Sequence, residues 1–325
     1  MILDARTIAL LFVDGLSGLL LLLLVWIALR SRLGTRGAAD LEGLWSLLAL
    51  AMGALFFLRL VAWVTFFLVL DGYVPGLRPN GVMCAFGVVQ LVPELARFAL
   101  WAKPVAVGCL CLWWSLSLAE RFGGSAAFQK LRFALVLPIA AIAGVELGAE
   151  VRWLLADKLD HAVTCCSAAL DLTRNADWFK STQVFGLGGS SVLMLLFASK
   201  AALIGACAFI ARRKPDPRLA WTIALCASAT AIAVLDLDAW REVIAPRALG
   251  LEFHRCAYEL VTRSIALGPA ALLATLAHLA LFALPLYALL RSREPEGVRQ
   301  AGAWIASVAA LAIASEQIAL AVHSF

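Results

Sequence analysis

The sequence predicts an all-α integral membrane protein with eight transmembrane helices. Three observations lead there. Apolar residues make up 63% of the 325-residue chain and charged residues only 15%. The apolar residues gather into eight stretches of roughly membrane-spanning length. Basic residues concentrate in every second connection between those stretches. Soluble domains average about half apolar and a quarter charged, and a water-soluble fold could not hide this much apolar surface. A bilayer can, because each spanning helix needs about 20 apolar residues.

The stretches fall at residues 8–29, 41–70, 102–118, 131–147, 187–210, 219–235, 268–290 and 301–322. The first is longer than the apolar core of a signal peptide and no small-residue cleavage site follows it, so it reads as an uncleaved span. The second is long enough to tilt or to project from the hydrocarbon. The whole chain reads as one polytopic domain.

Orientation follows from the connections. The short ones carry Arg30, Arg32 and Arg36; Arg121, Lys130 and Arg132; Arg212, Arg213, Lys214 and Arg218; and Arg291, Arg293 and Arg299. Short, densely basic loops belong in the cytoplasm. Both termini and the three long loops are therefore expected outside, in a bacterial-type inner membrane. The net charge of +5 reflects this inside-positive bias and needs no nucleic-acid partner. The expected surroundings are lipid and other membrane or periplasmic redox subunits.

Each long loop carries cysteine in a similar setting: Cys84 in the first, Cys165 and Cys166 in the second, Cys256 in the third. This suggests a threefold repeat of helical hairpins, at about 41–120, 131–213 and 219–293, flanked by helices 8–29 and 301–322. Residues 82–101 and 151–172 mix apolar and charged positions at helical spacing. With Trp101, Trp153 and Trp240 beside or within the loops, they read as amphipathic helices at the headgroup level.

On the extracytoplasmic side the compartment is oxidising, and adjacent cysteines bond each other only with strain. The one-two-one distribution therefore suits two disulfides that join the middle pair to Cys84 and Cys256. A second chemistry brings in histidine, since His161 precedes Cys165 by one helical turn and His254 lies beside Cys256. Imidazole with thiolate suits copper, zinc or haem iron. No Cys-x-x-Cys occurs, so the usual zinc pair and covalent haem attachment are absent. A third chemistry is thiol–disulfide exchange with a quinone. Quinone, haem and copper each suit these residues, and the sequence requires none of them. Cys109, Cys111, Cys207 and Cys226 lie inside spans, where cysteine packs as a small hydrophobe.

Asp14, Arg59, Lys200, His278 and Glu316 sit well within spans. Charged groups there cost about 2.5–3.5 kcal/mol each on insertion scales, so they are expected to face the bundle interior and pair. Two anions and two cations permit full neutralisation, leaving His278 to titrate. Asp71, Asp236 and Asp238, at the outer ends of spans, either line an approach to these groups or cap helices. No nucleotide loop, zinc-protease motif or nucleophile elbow occurs. The functional expectation is a membrane subunit or scaffold of an extracytoplasmic redox system. Its alternatives are a quinone-linked thiol oxidoreductase and a transporter with a proton or anion site at the intramembrane charges.

Overall fold

The computed structural model describes residues 4–33, 38–82, 84–123, 126–156, 158, 188–213, 219–245, 248, 264, 266–290 and 295–324. Its elements are helical, with no strand among the described residues. In chain order they are α1 (Ala5–Leu33), α2 (Ala38–Leu77), a 3-10 turn (Arg78–Asn80), the short α3 (Ala85–Leu91), α4 (Pro93–Gly123) and α5 (Ala126–Leu155). Then come α6 (Gly189–Arg213), α7 (Leu219–Ala239) with a π-helical turn (Trp240–Ile244), α8 (Leu267–Leu281), α9 (Ala283–Leu290) and α10 (Pro295–Ser324).

Eight segments are long and apolar enough to cross a membrane, α8 and α9 together forming one of them. Only 22% to 44% of each span's most apolar window is buried within the protein. The uncovered surface carries Phe12, Leu22, Leu50, Phe57, Met194 and Leu311. Water would penalise that surface heavily, and lipid does not. The chain is a multi-pass membrane protein.

Several spans run further than their apolar cores suggest. Proline at the first helical position needs no N–H partner, and Pro93 opens α4 well before residue 102. The segment 82–101 is thus a short helix, a break at Val92 and the first turns of a long helix, rather than one interfacial helix. At its far end α5 continues to Leu155. Trp101 faces outward as an interfacial residue would, whereas Trp153 and Trp240 are buried.

The chain divides into two compact units, Met1–Trp113 with Gln129–Cys165, and Trp114–Phe128 with Cys166–Phe325. In the first, α1 and α2 run antiparallel. Thr7 and Tyr73 meet through their hydroxyls at one level, and Asp14 meets Arg59 further along. The hairpin of α4 and α5 is antiparallel too, with the Trp113 indole donating to the Arg132 carbonyl and Lys103 reaching Glu146 and Glu150. The Arg132 guanidinium lies 4.2 Å from the Trp113 ring, a cation–π contact.

In the second unit, α6 packs on α7 and α10, and Tyr287 on α9 donates to the carbonyl of Ser115. The break between α8 and α9 has a local cause. Residue 285 is proline and offers no N–H to the carbonyl of Leu281, one turn earlier. The thiol of Cys226 on α7 donates to that carbonyl instead, at 3.1 Å. Cys226 is therefore a hydrogen-bond donor as well as a packed apolar group. We expect Cys226→Ala to lower stability by about 1 kcal/mol, and Cys226→Ser, which keeps a donor, to lose less. Thermal unfolding in detergent measures both; equal losses would remove this role for the thiol.

Candidate functional site

Each unit holds a buried network of charged side chains. In the first, Glu146 and Glu150 lie four residues apart on α5, so both project from one face. Between them they hold two cations. The Arg59 guanidinium donates from Nη2 to Glu146 Oε1 at 2.7 Å and to Glu150 Oε2 at 2.6 Å. The Lys103 ammonium donates to Glu146 Oε1 at 2.9 Å and to Glu150 Oε1 at 2.6 Å. Arg59 also reaches α1, donating from Nη1 to Asp14 Oδ1 at 2.8 Å and to the Ser17 hydroxyl at 3.5 Å. Ser17 can accept because its own hydrogen goes to the carbonyl of Val13.

An aromatic wall borders this network. Lys103 Nζ sits 4.8 Å from the centre of the Phe66 ring, Phe66 packs on Trp153, and Trp153 on Tyr73. Asp14 Oδ2, Glu146 Oε2 and Arg59 Nε are buried and have no hydrogen-bond partner among the described residues.

The second network centres on Lys200 of α6. Its ammonium donates to Asp236 Oδ1 on α7 and to Glu316 Oε2 on α10, both at 2.7 Å. The other Glu316 oxygen accepts from the Trp240 indole at 3.3 Å. Trp240 opens the π-helical turn, and such turns recur at functional sites because they re-aim the side chains they carry. Sharing one ammonium at 2.7 Å each, the Asp236 and Glu316 carboxyl groups form a pair around Lys200. A plug of apolar side chains, including Val192, Leu196, Val243, Leu267 and Leu320, packs around Trp240.

The two networks differ in access. The Asp236 side chain is 13% exposed, whereas every other ion-paired group in either network is at most 2% exposed.

The structure thus brings Asp14 to Arg59, and Lys200 to Glu316. It does not produce the neutral set that two anions and two cations would form. Glu146, Glu150 and Lys103 join the first network and Asp236 the second. With all groups ionised, the ion pairs among the described residues then join one more carboxylate than cation in each network. Asp236, expected either to line an approach or to cap its helix, is itself an ion partner of Lys200. Lys103 and Glu146 sit at the very ends of the apolar stretches 102–118 and 131–147, and Glu150 lies just beyond the second. The signal for them was the apolar sequence that continues past Glu150 to Leu155, and the Pro93 start that places Lys103 inside α4. His278 is buried and bonds the carbonyl of Ala274 through Nδ1. Asp71 forms a surface pair with Arg6 at the end of α2, of a kind worth little.

Of the loop cysteines, Cys84 is buried at the start of α3. Cys165, Cys166, Cys256, His161 and His254 lie outside the described residues. No disulfide and no cluster of three metal-ligating side chains occurs among the described residues. No family model, curated protein or solved structure matches this chain.

Removing a cation from either network strands carboxylates in a low-dielectric interior. We expect Lys200→Met to cost about 3–5 kcal/mol of stability. Adding Glu316→Gln to it should cost less than the sum of the two single losses. Additive losses on thermal unfolding in detergent would show that the pair is not coupled.

Proposed function

We infer that this protein is a transporter of the proton-translocating kind, with the two buried charge networks as its proton sites. One observation carries the reading: among the described residues, the ion pairs of each network join one carboxylate more than they have cations. An ion-pair framework that serves structure alone is most stable when its charges cancel. An uncompensated carboxylate among others in a low-dielectric site takes up a proton instead. Intramembrane acids arranged this way recur in proton relays. The partial exposure of Asp236 supports an entry at the second network.

The topology belongs to this proposal. We read both termini and the three long loops as extracytoplasmic, in an inner membrane, from the basic residues of the short connections. The threefold repeat and the disulfides joining Cys84, Cys165, Cys166 and Cys256 are proposals about the loops, resting on the cysteine distribution. A redox-subunit role rests on those same loops, and the charge networks neither need it nor support it.

Two experiments test the reading. In liposomes containing a pH-sensitive dye, a potassium diffusion potential should drive proton entry through the protein. Glu316→Gln should reduce that entry to the level of protein-free vesicles. Native protein that moves no more protons than empty vesicles would overturn the function. For orientation, alkaline phosphatase fused after Thr173 or after Arg255 should be active, and fused after Arg213 inactive; the reverse pattern inverts the topology.

A further inference from the structure

His278 has one nitrogen committed and one open. Nδ1 lies 2.7 Å from the carbonyl of Ala274, which can only accept, so Nδ1 carries a hydrogen in the neutral ring as well as in the charged one. In the neutral ring Nε2 is then a bare lone pair, and therefore a base. That atom is buried and has no hydrogen-bond partner among the described residues. The residue as a whole is 5% exposed.

Helix register places this base relative to the second network. Cys226 on α7 meets Leu281 on α8, while Leu267 at the other end of α8 packs in the cluster that holds Trp240 and Val243. The two helices therefore run antiparallel, and His278 lies level with residues 229–230 of α7. At 1.5 Å per residue, Asp236 is roughly 10 Å further along the helix axis. Side chains lean toward the N-terminus of their own helix, so in an antiparallel pair Asp236 and His278 lean toward each other. On α6, Lys200 is bound to that same Asp236. From α10, which also packs on α8, comes Glu316, bound to the same Lys200.

One proton neutralises Lys200, Asp236 and Glu316 together. The carboxyl pair is one place for it, and Nε2 is another at a different depth. We propose that His278 Nε2 is the second station of this proton, receiving it from the Asp236–Glu316 pair by way of water. In the transfer the carboxyl O–H bond breaks and its electron pair stays on oxygen. The Nε2 lone pair forms the new N–H bond. The products are two carboxylates around Lys200 and an imidazolium deeper in the unit, with the total charge unchanged. Because Nδ1 stays tied to Ala274, the proton enters and leaves through Nε2 alone. This step rests on the transporter reading and names the residue that extends its path.

The test needs a single visible histidine. The chain has four, and replacing His161, His254 and His323 by Gln leaves His278 alone. In liposomes, solid-state nitrogen NMR of this protein labelled with nitrogen-15 histidine should show hydrogen on Nδ1 and a bare Nε2 at alkaline pH. Acidification should convert it to imidazolium. A neutral ring with its hydrogen on Nε2, or a ring that never titrates, would overturn the proposal. In the flux assay, His278→Gln should abolish potential-driven proton entry while the infrared band of the protonated carboxyl persists. Undiminished flux in His278→Gln, alongside its loss in Glu316→Gln, would refute the second station and leave the transporter reading intact. Absence of flux in the native protein would instead refute that reading, and the NMR result would still decide whether Nε2 is a base.

Discussion

A charge inside the membrane is costly without a partner within the protein, and here the buried carboxylates are gathered by cations that bridge several helices. Arg59 on α2 joins α1 and α5, Lys103 on α4 joins the same two glutamates, and Lys200 on α6 joins α7 and α10. Lipid offers little hydrophobic drive for one apolar helix to prefer another, so packing alone specifies such a bundle weakly. Sliding a helix by one turn would separate these ions by about 5.4 Å in a medium where separation is expensive. The ion contacts therefore set helix register.

The irregular backbone of the second unit lies around its charges. The π-helical turn brings Trp240 to Glu316, and the break after Leu281 ends the helix that carries His278. Both departures from regular helix leave backbone groups that neighbours must satisfy. The Cys226 thiol does so at the break, in place of the N–H that proline lacks. Interrupted helices of this sort are tolerated at membrane depth where protein surrounds them, and in transporters they line binding sites.

Considered separately, the two units reach the same charge balance by different arrangements. In the first, the bridging cation comes from the second span and the acids from the first and fourth. In the second, it comes from the first span and the acids from the second and fourth. The third span carries Lys103 in one and His278 in the other. A lysine closes the first network with two further ion pairs. Where histidine takes that place, its buried Nε2 has no hydrogen-bond partner among the described residues, and Asp236 of the same unit has some exposure.

Membrane class and the number of spans were legible in the sequence, because both follow from local composition: a run of apolar residues has nowhere else to go. So was the set Asp14, Arg59, Lys200, His278 and Glu316, since a charge in the middle of an apolar run stands out by itself. Lys103, Glu146 and Glu150 did not stand out, and Asp236 read equally as a lining residue and as a helix cap. They sit near helix ends, where a charge is equally at home in water, and only the lengths of the folded helices and the positions of their neighbours put them inside. Partnership was likewise a tertiary matter. Arg59 and Lys103 share two carboxylates more than forty residues away, and no spacing within one helix encodes that. Apolar periodicity marks that a helix must be covered by something apolar, which lipid satisfies as well as protein. The choice among neighbours is made by the few polar atoms that lipid cannot satisfy.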